Sequence, residues 1–261
     1  MLLTGYFLIL GLMIGSAINA FVWRLYVGRS WVRGRSECPD CGHTLHAKDL
    51  VPVFSWLALG GKCRYCRKPI KDHPIVELVT SVLFGLSAYV LAPATPVEWV
   101  SFAFWIVMLV MLIILATYDA RWMILPDKVM IPLIGVAALS VAAGALMARS
   151  VPMLVGPVAT AVLAGGGFWA LVAATKGRAM GGGDVKLAFG MGLILGAQAT
   201  AVAMLLAFNV AAVVGVVMII LHRKRRRDQI PFGPYLVGGT IVAYLYGREL
   251  VDWYLRFNGL A

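Results

Sequence analysis

The sequence predicts an all-α polytopic membrane protein with about eight transmembrane helices and a small cytoplasmic zinc-binding loop domain. Three observations support this fold class: an apolar composition, eight separate apolar stretches, and four cysteines confined to one polar loop. Of the 261 residues, 61% are hydrophobic and 13% are charged, and the mean hydropathy is +0.86. Soluble domains average about 45–50% apolar and about 25% charged residues. Lipid is therefore the expected solvent for most of this chain.

The eight apolar stretches are residues 2–23, 74–91, 97–118, 129–147, 151–175, 185–197, 199–221 and 235–246. The stretch 185–197 is too short to cross a bilayer, because one crossing takes about 20 residues. We expect it to begin earlier, at the preceding glycines, or to form a re-entrant or broken helix. The first stretch is predicted to be a retained helix, because it has no basic start and no small-residue cleavage site follows it; a cleaved signal peptide is the alternative.

The basic residues are distributed unevenly, which predicts the topology. With the N-terminus outside, the cytoplasmic segments 24–73, 119–128, 176–186 and 222–234 hold 10, 2, 3 and 5 basic residues, or 20 of the total of 23. This asymmetry follows the positive-inside rule. It explains the formal charge of +11 through membrane topology and anionic lipid, without nucleic acid as a partner. The predicted division is a first helix at 1–23, a cytoplasmic loop at 24–73 and a multi-span membrane domain at 74–261.

All four cysteines lie in the loop 24–73, as Cys38-Pro39-Asp40-Cys41 and Cys63-Arg64-Tyr65-Cys66. Paired C-x2-C motifs bring four thiolates to the tetrahedral geometry of a structural Zn²⁺ site. Disulfides or unrelated thiols are the alternative, but a cytoplasmic location disfavours disulfides. The nearby residues His43, His46 and His73 are interpreted as ordinary loop residues, although one could substitute as a ligand.

Two aspartates at predicted membrane boundaries are the candidate catalytic residues. Asp119 closes the third apolar stretch, and Asp184 ends Gly181-Gly182-Gly183-Asp184. Ionisable residues at this depth are costly and indicate function, and two adjacent carboxylates that share a proton can act as acid and base. The glycines leave room for an extended peptide. The alternative is a simple loop in which an exposed Asp184 caps the next helix.

Other charged residues have simpler interpretations. Asp127 follows a proline and precedes an apolar stretch, so a role in the first helical turn explains it. Glu77 is predicted to be either a buried polar partner or a residue at headgroup level. The basic run 223–227 is interpreted as a topology anchor that faces anionic lipid.

An ordered series of motifs resembles the prepilin peptidase family, also called type IV leader peptidases. The series comprises Gly15-Ser16-Ala17-Ile18-Asn19, both cysteine pairs, Leu50-Val51-Pro52-Val53-Phe54-Ser55, Pro74-Ile75-Val76-Glu77, Asp119 with Leu125-Pro126-Asp127, the segment 181–187, and Pro231-Phe232-Gly233-Pro234. The resemblance covers nearly the whole chain.

The resemblance implies a GxGD-type aspartyl protease in the bacterial cytoplasmic (inner) membrane, with its active site at the cytoplasmic face. Its substrates would be the prepilins and pseudopilins of type IV pilus and type II secretion systems. The family's two catalytic aspartates align with Asp119 and Asp184. Asp127 aligns with neither of them, so the resemblance gives it no catalytic role. Many members also methylate the new N-terminus with S-adenosylmethionine, and the cysteine-bearing loop is associated with these bifunctional members.

Two other functions remain open from the residues. A non-catalytic transporter or scaffold could use Asp119 and Asp184 to relay protons or bind cations. An intramembrane protease of the presenilin or signal-peptide-peptidase kind shares the GxGD motif, although the cysteine loop and the Leu125-Pro126-Asp127 context argue against it.

Overall fold

A computed structural model describes residues 1–30, 34–70, 74–177, 180–221 and 230–257. Within these ranges the regular structure is helical, apart from two isolated β-bridges. The chain forms two compact units, Met1–Pro93 and Ala94–Ala261. The predicted all-α class is confirmed, whereas the three-part division of the sequence stays a prediction.

The N-terminal unit contains helix α1 (Leu2–Tyr26), a 3-10 turn (Ala47–Asp49), the short helix α2 (Phe54–Ala58) and helix α3 (Ile75–Leu91). Glycines allow α1 to approach α3 closely. A Cβ added to Gly11 would lie 2.6 Å from the Cα of Ser81. The Ser81 hydroxyl donates a hydrogen bond of 2.8 Å to the Leu8 carbonyl across the same interface. Close contact through small residues is how helices associate where lipid removes the hydrophobic driving force.

The described part of the C-terminal unit contains five helices: α4 (Pro96–Trp122), α5 (Asp127–Met147), α6 (Pro152–Ala174), α7 (Gly182–Ile220) and α8 (Gly233–Phe257). Helix α4 begins at a capping box, in which the Glu98 N–H donates to the Thr95 hydroxyl and the Thr95 N–H donates to the Glu98 carboxylate. Two aromatic rings from α4 and α8, Trp105 and Tyr244, stack with centroids 3.7 Å apart.

Helix α7 is broken at Gly196, whose φ of 70° and ψ of −177° are not helical. The Thr200 hydroxyl lies 3.5 Å from the Met191 carbonyl oxygen, to which it donates a hydrogen bond. In an uninterrupted helix, residues nine positions apart are separated by about 13 Å along the axis, so the two arms of α7 turn back on one another. The arms match the predicted stretches 185–197 and 199–221, and the first arm begins in the glycine segment as expected.

All eight predicted apolar stretches coincide with helical segments to within a few residues. Among the residues that the structure describes, five helices, α1, α4, α5, α6 and α7, are long and apolar enough to span a membrane. Helix α3 is apolar but shorter, and α8 carries charged residues in its second half. Large apolar side chains such as Leu139, Leu163 and Trp169 are more than 60% exposed on the helix surfaces. Because exposed apolar side chains on long apolar helices suit lipid, the chain is a multi-pass membrane protein.

Candidate active site and metal centre

Asp119 lies near the C-terminal end of α4, where its side chain is buried with 5% exposure. Its Oδ2 atom accepts a hydrogen bond of 2.9 Å from the backbone N–H of Gly233. A buried carboxylate surrounded by apolar side chains needs such a donor, because burial without a hydrogen bond is costly. Asp119 is therefore held in one position at the end of the helix.

Gly233, at the start of α8, provides that donor because it has no side chain. A Cβ at this position would lie 2.7 Å from the Asp119 Oδ2 atom and 3.1 Å from its Cγ atom. The sequence motif Pro231-Phe232-Gly233-Pro234 carried no predicted role. The feature of the sequence that could have indicated a helix start here is a glycine followed by proline, directly before an apolar stretch. The helix N-terminus also brings partial positive charge to the Asp119 carboxylate.

Asp184 lies in the first turn of α7 and is half-buried. The negative charge of Asp119 acts on it electrostatically, so the two carboxylates belong to one site. The neighbouring Gly183 packs against Leu125, where an added Cβ would lie 2.9 Å from the Leu125 Cβ. The structure therefore brings the predicted aspartates together through contacts of the glycine segment with the turn between α4 and α5. Two carboxylates in such a site can share one proton and act as general acid and general base.

Asp127 lies outside this pair. It is the first residue of α5, with its side chain 57% exposed, and it forms an ion pair of 2.6 Å with Lys186 on α7. Its place in the first helical turn agrees with the sequence interpretation. Exposed ion pairs contribute little stability, so this contact orients the ends of α5 and α7 without burying charge.

The two cysteine pairs form equivalent turns in the N-terminal unit. In one, the Cys38 N–H donates to the His43 carbonyl, and in the other the Cys63 N–H donates to the Lys68 carbonyl, both at 2.9 Å. Each turn has a left-handed residue four positions after its first cysteine: Gly42, with a φ of 70°, and Arg67, with a φ of 60°. Glycine adopts this conformation at no steric cost.

The turns bring all four sulfur atoms together. The Sγ atoms of Cys38, Cys41, Cys63 and Cys66 lie within 4.8 Å of one another, and those of Cys38 and Cys66 are 3.9 Å apart. Tetrahedral Zn–S bonds of about 2.3 Å separate sulfur atoms by roughly 3.8 Å, so the cluster is able to hold one metal ion. Burial opposes ionisation of Cys63, but backbone N–H groups of Cys66 and Tyr65 outweigh it and lower the pKa of this thiol to about 7.

Polar contacts around the cysteine turns hold the loop in place. The Asp49 carboxylate accepts a 2.6 Å hydrogen bond from the Arg64 Nε and a 3.1 Å hydrogen bond from the Tyr65 hydroxyl. Burial by itself raises the pKa of the Asp49 carboxyl. These two hydrogen bonds, together with one from the His46 N–H, outweigh burial and lower the pKa. The His43 ring stacks on Tyr65 with centroids 3.6 Å apart. In the described part of the loop, His43 and His46 therefore act as loop residues and the sulfur cluster contains cysteines alone.

Glu77 is a half-buried polar partner, one of the two roles considered for it. Its carboxylate accepts a 2.6 Å hydrogen bond from the Val53 N–H and another from the Ser16 hydroxyl. Val53 has a φ of 61°, which is costly for a β-branched residue. Glu77 thus links α1, the start of α2 and α3. The predicted roles of His73 and of the basic run 223–227 lie outside the described residues.

Comparisons with known proteins agree with this arrangement. The family model described as "Bacterial Peptidase A24 N-terminal domain" matches residues 9–91, and the "Type IV leader peptidase family" model matches residues 106–218. Three similar curated proteins are named "Prepilin leader peptidase/N-methyltransferase". Those from Pseudomonas aeruginosa and Bacillus subtilis are 32% and 31% identical, over 97% and 95% of this chain and 93% and 96% of their own length. The protein from Aeromonas hydrophila is 34% identical over 85% of this chain and 74% of its own length. No solved structure matches.

These matches span both structural units and do not favour the transporter or scaffold alternative. The leader peptidase model contains both Asp119 and Asp184, and the N-terminal model contains all four cysteines. Relatives above 30% identity are matched over nearly their full length. The chain belongs to the prepilin leader peptidase/N-methyltransferase family.

Proposed function

We propose that Asp119 and Asp184 form the acid–base pair with which this chain cleaves the leader peptide of type IV prepilins and pseudopilins. The observation that carries this assignment is the buried Asp119 carboxylate, fixed by the Gly233 N–H within electrostatic range of Asp184. Family membership supplies the reaction, since the similar proteins are named for leader peptidase activity. The chain is a bifunctional enzyme that also N-methylates the new N-terminus.

The pair hydrolyses the peptide bond by general acid–base chemistry without an acyl-enzyme. One carboxylate removes a proton from a water molecule, and the other donates a proton to the carbonyl oxygen of the scissile bond. The Gly233 N–H favours the charged form of Asp119, because a hydrogen bond to a carboxylate stabilises its charge. A backbone contact from Gly181 acts in the same direction on Asp184, so either carboxylate can take the proton from water while the other donates one.

Both aspartates are assigned to the cytoplasmic face of the bacterial inner membrane. Asp119 ends α4 and Asp184 begins α7, and basic residues are concentrated in the segments that adjoin these ends. By the positive-inside rule, such segments lie in the cytoplasm. The leader of a prepilin would then be accessible to the pair while its apolar segment lies in lipid.

Zn²⁺ is the metal assigned to the cysteine cluster. Four thiolates whose sulfur atoms lie within 4.8 Å of one another would fill every position of a tetrahedral ion, so the ion would have a structural role. S-adenosylmethionine is the proposed methyl donor. A similar protein is named N-methyltransferase, and this reaction needs an activated methyl group.

The test uses purified full-length protein in detergent and a prepilin peptide that spans the leader junction. Asp119→Asn and Asp184→Asn are expected to abolish cleavage as measured by mass spectrometry, because each removes one member of the pair. Asp127→Asn is the matched control, since this exposed carboxylate lies eight residues after Asp119 and outside the pair. Cleavage that survives both Asp119→Asn and Asp184→Asn would overturn the assignment. Zinc content, measured on every sample, reports on folding of the N-terminal unit.

A further inference from the structure

The two activities of the family need two sites, and the aspartate pair accounts for only one of them. Both aspartates belong to the unit Ala94–Ala261, where the leader peptidase model matches. The unit Met1–Pro93 matches a separate family model and holds the cysteine cluster. A binding site for a methyl donor is therefore to be sought in the N-terminal unit.

The described part of this unit contains a cavity of about 520 Å³ between the C-terminal half of α1 and the cysteine loop. Sites for small organic ligands commonly measure about 300–1,000 Å³. The α1 wall is formed in part by Ala20, Trp23 and Arg24, and the loop wall in part by Arg35 and Asp49. The cavity is thus large enough for a nucleoside-sized ligand.

We propose that this cavity binds S-adenosylmethionine for the methylation step. The proposal rests on the proposed function, because it requires that the chain methylates its cleavage product. It adds the location of the donor and the residues that hold it.

The charges that line the cavity are of both signs, which suits a zwitterionic ligand. Arg24 and Arg35 provide guanidinium groups for the carboxylate of the donor, and Glu37 provides a carboxylate for its ammonium group. Trp23 offers an aromatic face for a purine ring or for the sulfonium charge. An anionic lipid headgroup would favour basic residues alone, so the mixed lining favours the nucleoside donor.

Several of these groups are already oriented by the fold. Glu37 pairs with Arg29, and the Arg29 guanidinium lies 5.5 Å from the centroid of the Trp23 ring. The Asp49 side chain is 2% exposed and holds Arg64, which also lines the cavity, at 2.6 Å. Groups that are fixed before binding lose less conformational entropy when the ligand arrives.

The cysteine cluster is part of the same wall, because Cys38 and Cys63 line the cavity. A metal ion in the cluster would fix the two turns and, through them, the loop side of the cavity. This gives the structural metal a purpose in the methylation activity, which the spacing of the cysteines did not indicate.

The reaction assigned to this site is a balanced methyl transfer. The lone pair of the neutral N-terminal amine of the cleaved product forms a new C–N bond with the methyl carbon. The C–S bond of the donor breaks, its electron pair returns to sulfur, and the sulfonium becomes the neutral thioether S-adenosylhomocysteine. The methylated ammonium then loses one proton to water.

The first test fills the cavity from the α1 side in the full-length protein. Ala20→Phe adds an aromatic ring to the cavity wall, whereas Ile9→Phe adds the same ring on a part of α1 that is 64% exposed and outside the cavity. Binding of radiolabelled S-adenosylmethionine is measured by equilibrium dialysis, and methylation and cleavage are read by mass spectrometry. Ala20→Phe is expected to weaken donor binding at least tenfold and to reduce methylation while leader cleavage continues. Ile9→Phe is expected to match the wild type.

A second pair of variants tests the charge complementarity without added bulk. Arg35→Ala is expected to weaken donor binding about tenfold, the loss typical of one charged hydrogen bond. Lys48→Ala removes an exposed cation from the same loop outside the cavity and serves as the control. If Ala20→Phe loses its zinc and is misfolded, the comparison of Arg35→Ala with Lys48→Ala tests the cavity assignment in its place.

The possible outcomes distinguish a failure of the cavity assignment from a failure of the proposed function. Unchanged donor binding in both Ala20→Phe and Arg35→Ala would overturn the cavity assignment and leave a lipid headgroup as the occupant to examine. A wild-type protein that cleaves no prepilin would refute the proposed function instead. A wild type that cleaves but binds no S-adenosylmethionine would refute the donor site alone.

Discussion

Replacing Gly233 by alanine tests whether the close approach of α8 positions Asp119 for catalysis. The new Cβ would lie 2.7 Å from Oδ2 and 3.1 Å from Cγ of Asp119, whereas unstrained contacts are about 3.5–4 Å long. The carboxylate must therefore move by several tenths of an ångström or more, and its 2.9 Å hydrogen bond from the Gly233 N–H is lost or lengthened.

The expected cost follows from the loss of that hydrogen bond. A hydrogen bond to a charged group contributes about 1.5–3 kcal/mol, which corresponds to a decrease of about 10- to 150-fold in kcat/KM if the bond persists in the transition state. A displacement of this size in a catalytic group has effects of similar magnitude. Cleavage of a prepilin peptide is measured at several substrate concentrations in detergent.

Gly238→Ala is the matched control, because Gly238 lies on the same helix and an added Cβ there meets no atom within 4 Å. It should cleave like the wild type. If Gly233→Ala and Gly238→Ala differ by less than twofold in kcat/KM, Gly233 does not position Asp119 and the reasoning is wrong. Melting temperatures of both variants exclude a general loss of folding as the cause.

Three further predictions concern the packing of the N-terminal unit, the metal and the surface of the active site. Gly15→Ala places a Cβ 2.6 Å from the backbone of α3 and is expected to lower the free energy of unfolding by about 1–3 kcal/mol. Gly5→Ala is the control, because its added Cβ meets no atom within 4 Å. Equal melting temperatures of the two variants would contradict this packing. Cys63→Ser is expected to reduce bound zinc from about one ion per chain, and full retention in elemental analysis would place the metal elsewhere. Lys186→Ala removes an exposed ion pair with Asp127 and should change stability by less than about 1 kcal/mol and cleavage by less than twofold. A larger loss of cleavage would show that the pair supports the catalytic site.

The sequence was sufficient for features that depend on local pattern. Apolar runs of about 20 residues predict membrane helices because lipid leaves few alternatives for the backbone. The spacing of Cys38, Cys41, Cys63 and Cys66 predicted a cluster because two short turns of four residues have few ways to present their sulfur atoms. The motifs around Asp119 and Asp184 identified the family, although the catalytic role of these residues stays a prediction.

The tertiary structure decided the features that join distant segments. Most of these helices are apolar on every face, so their hydropathy pattern does not indicate which face contacts which neighbouring helix. The contact of Gly233 with Asp119 joins residues 114 positions apart, and that of Glu77 with Val53 joins residues 24 positions apart. The break in α7 was predicted between the stretches 185–197 and 199–221, but only the structure placed it at Gly196, because a glycine inside an apolar run is compatible with either a straight or a broken helix.

By itself, the sequence determined a multi-pass membrane protein, a metal-binding loop and two aspartates at helix ends, since each depends on solvent preference or short-range spacing. Only the tertiary structure decided which backbone N–H holds Asp119, how Glu77 joins α1 to α3, and that Arg24, Arg35 and Asp49 line one cavity. These relations arise when helices pack, because small residues such as Gly15 and Gly233 let backbones and carboxylates approach within contact distance.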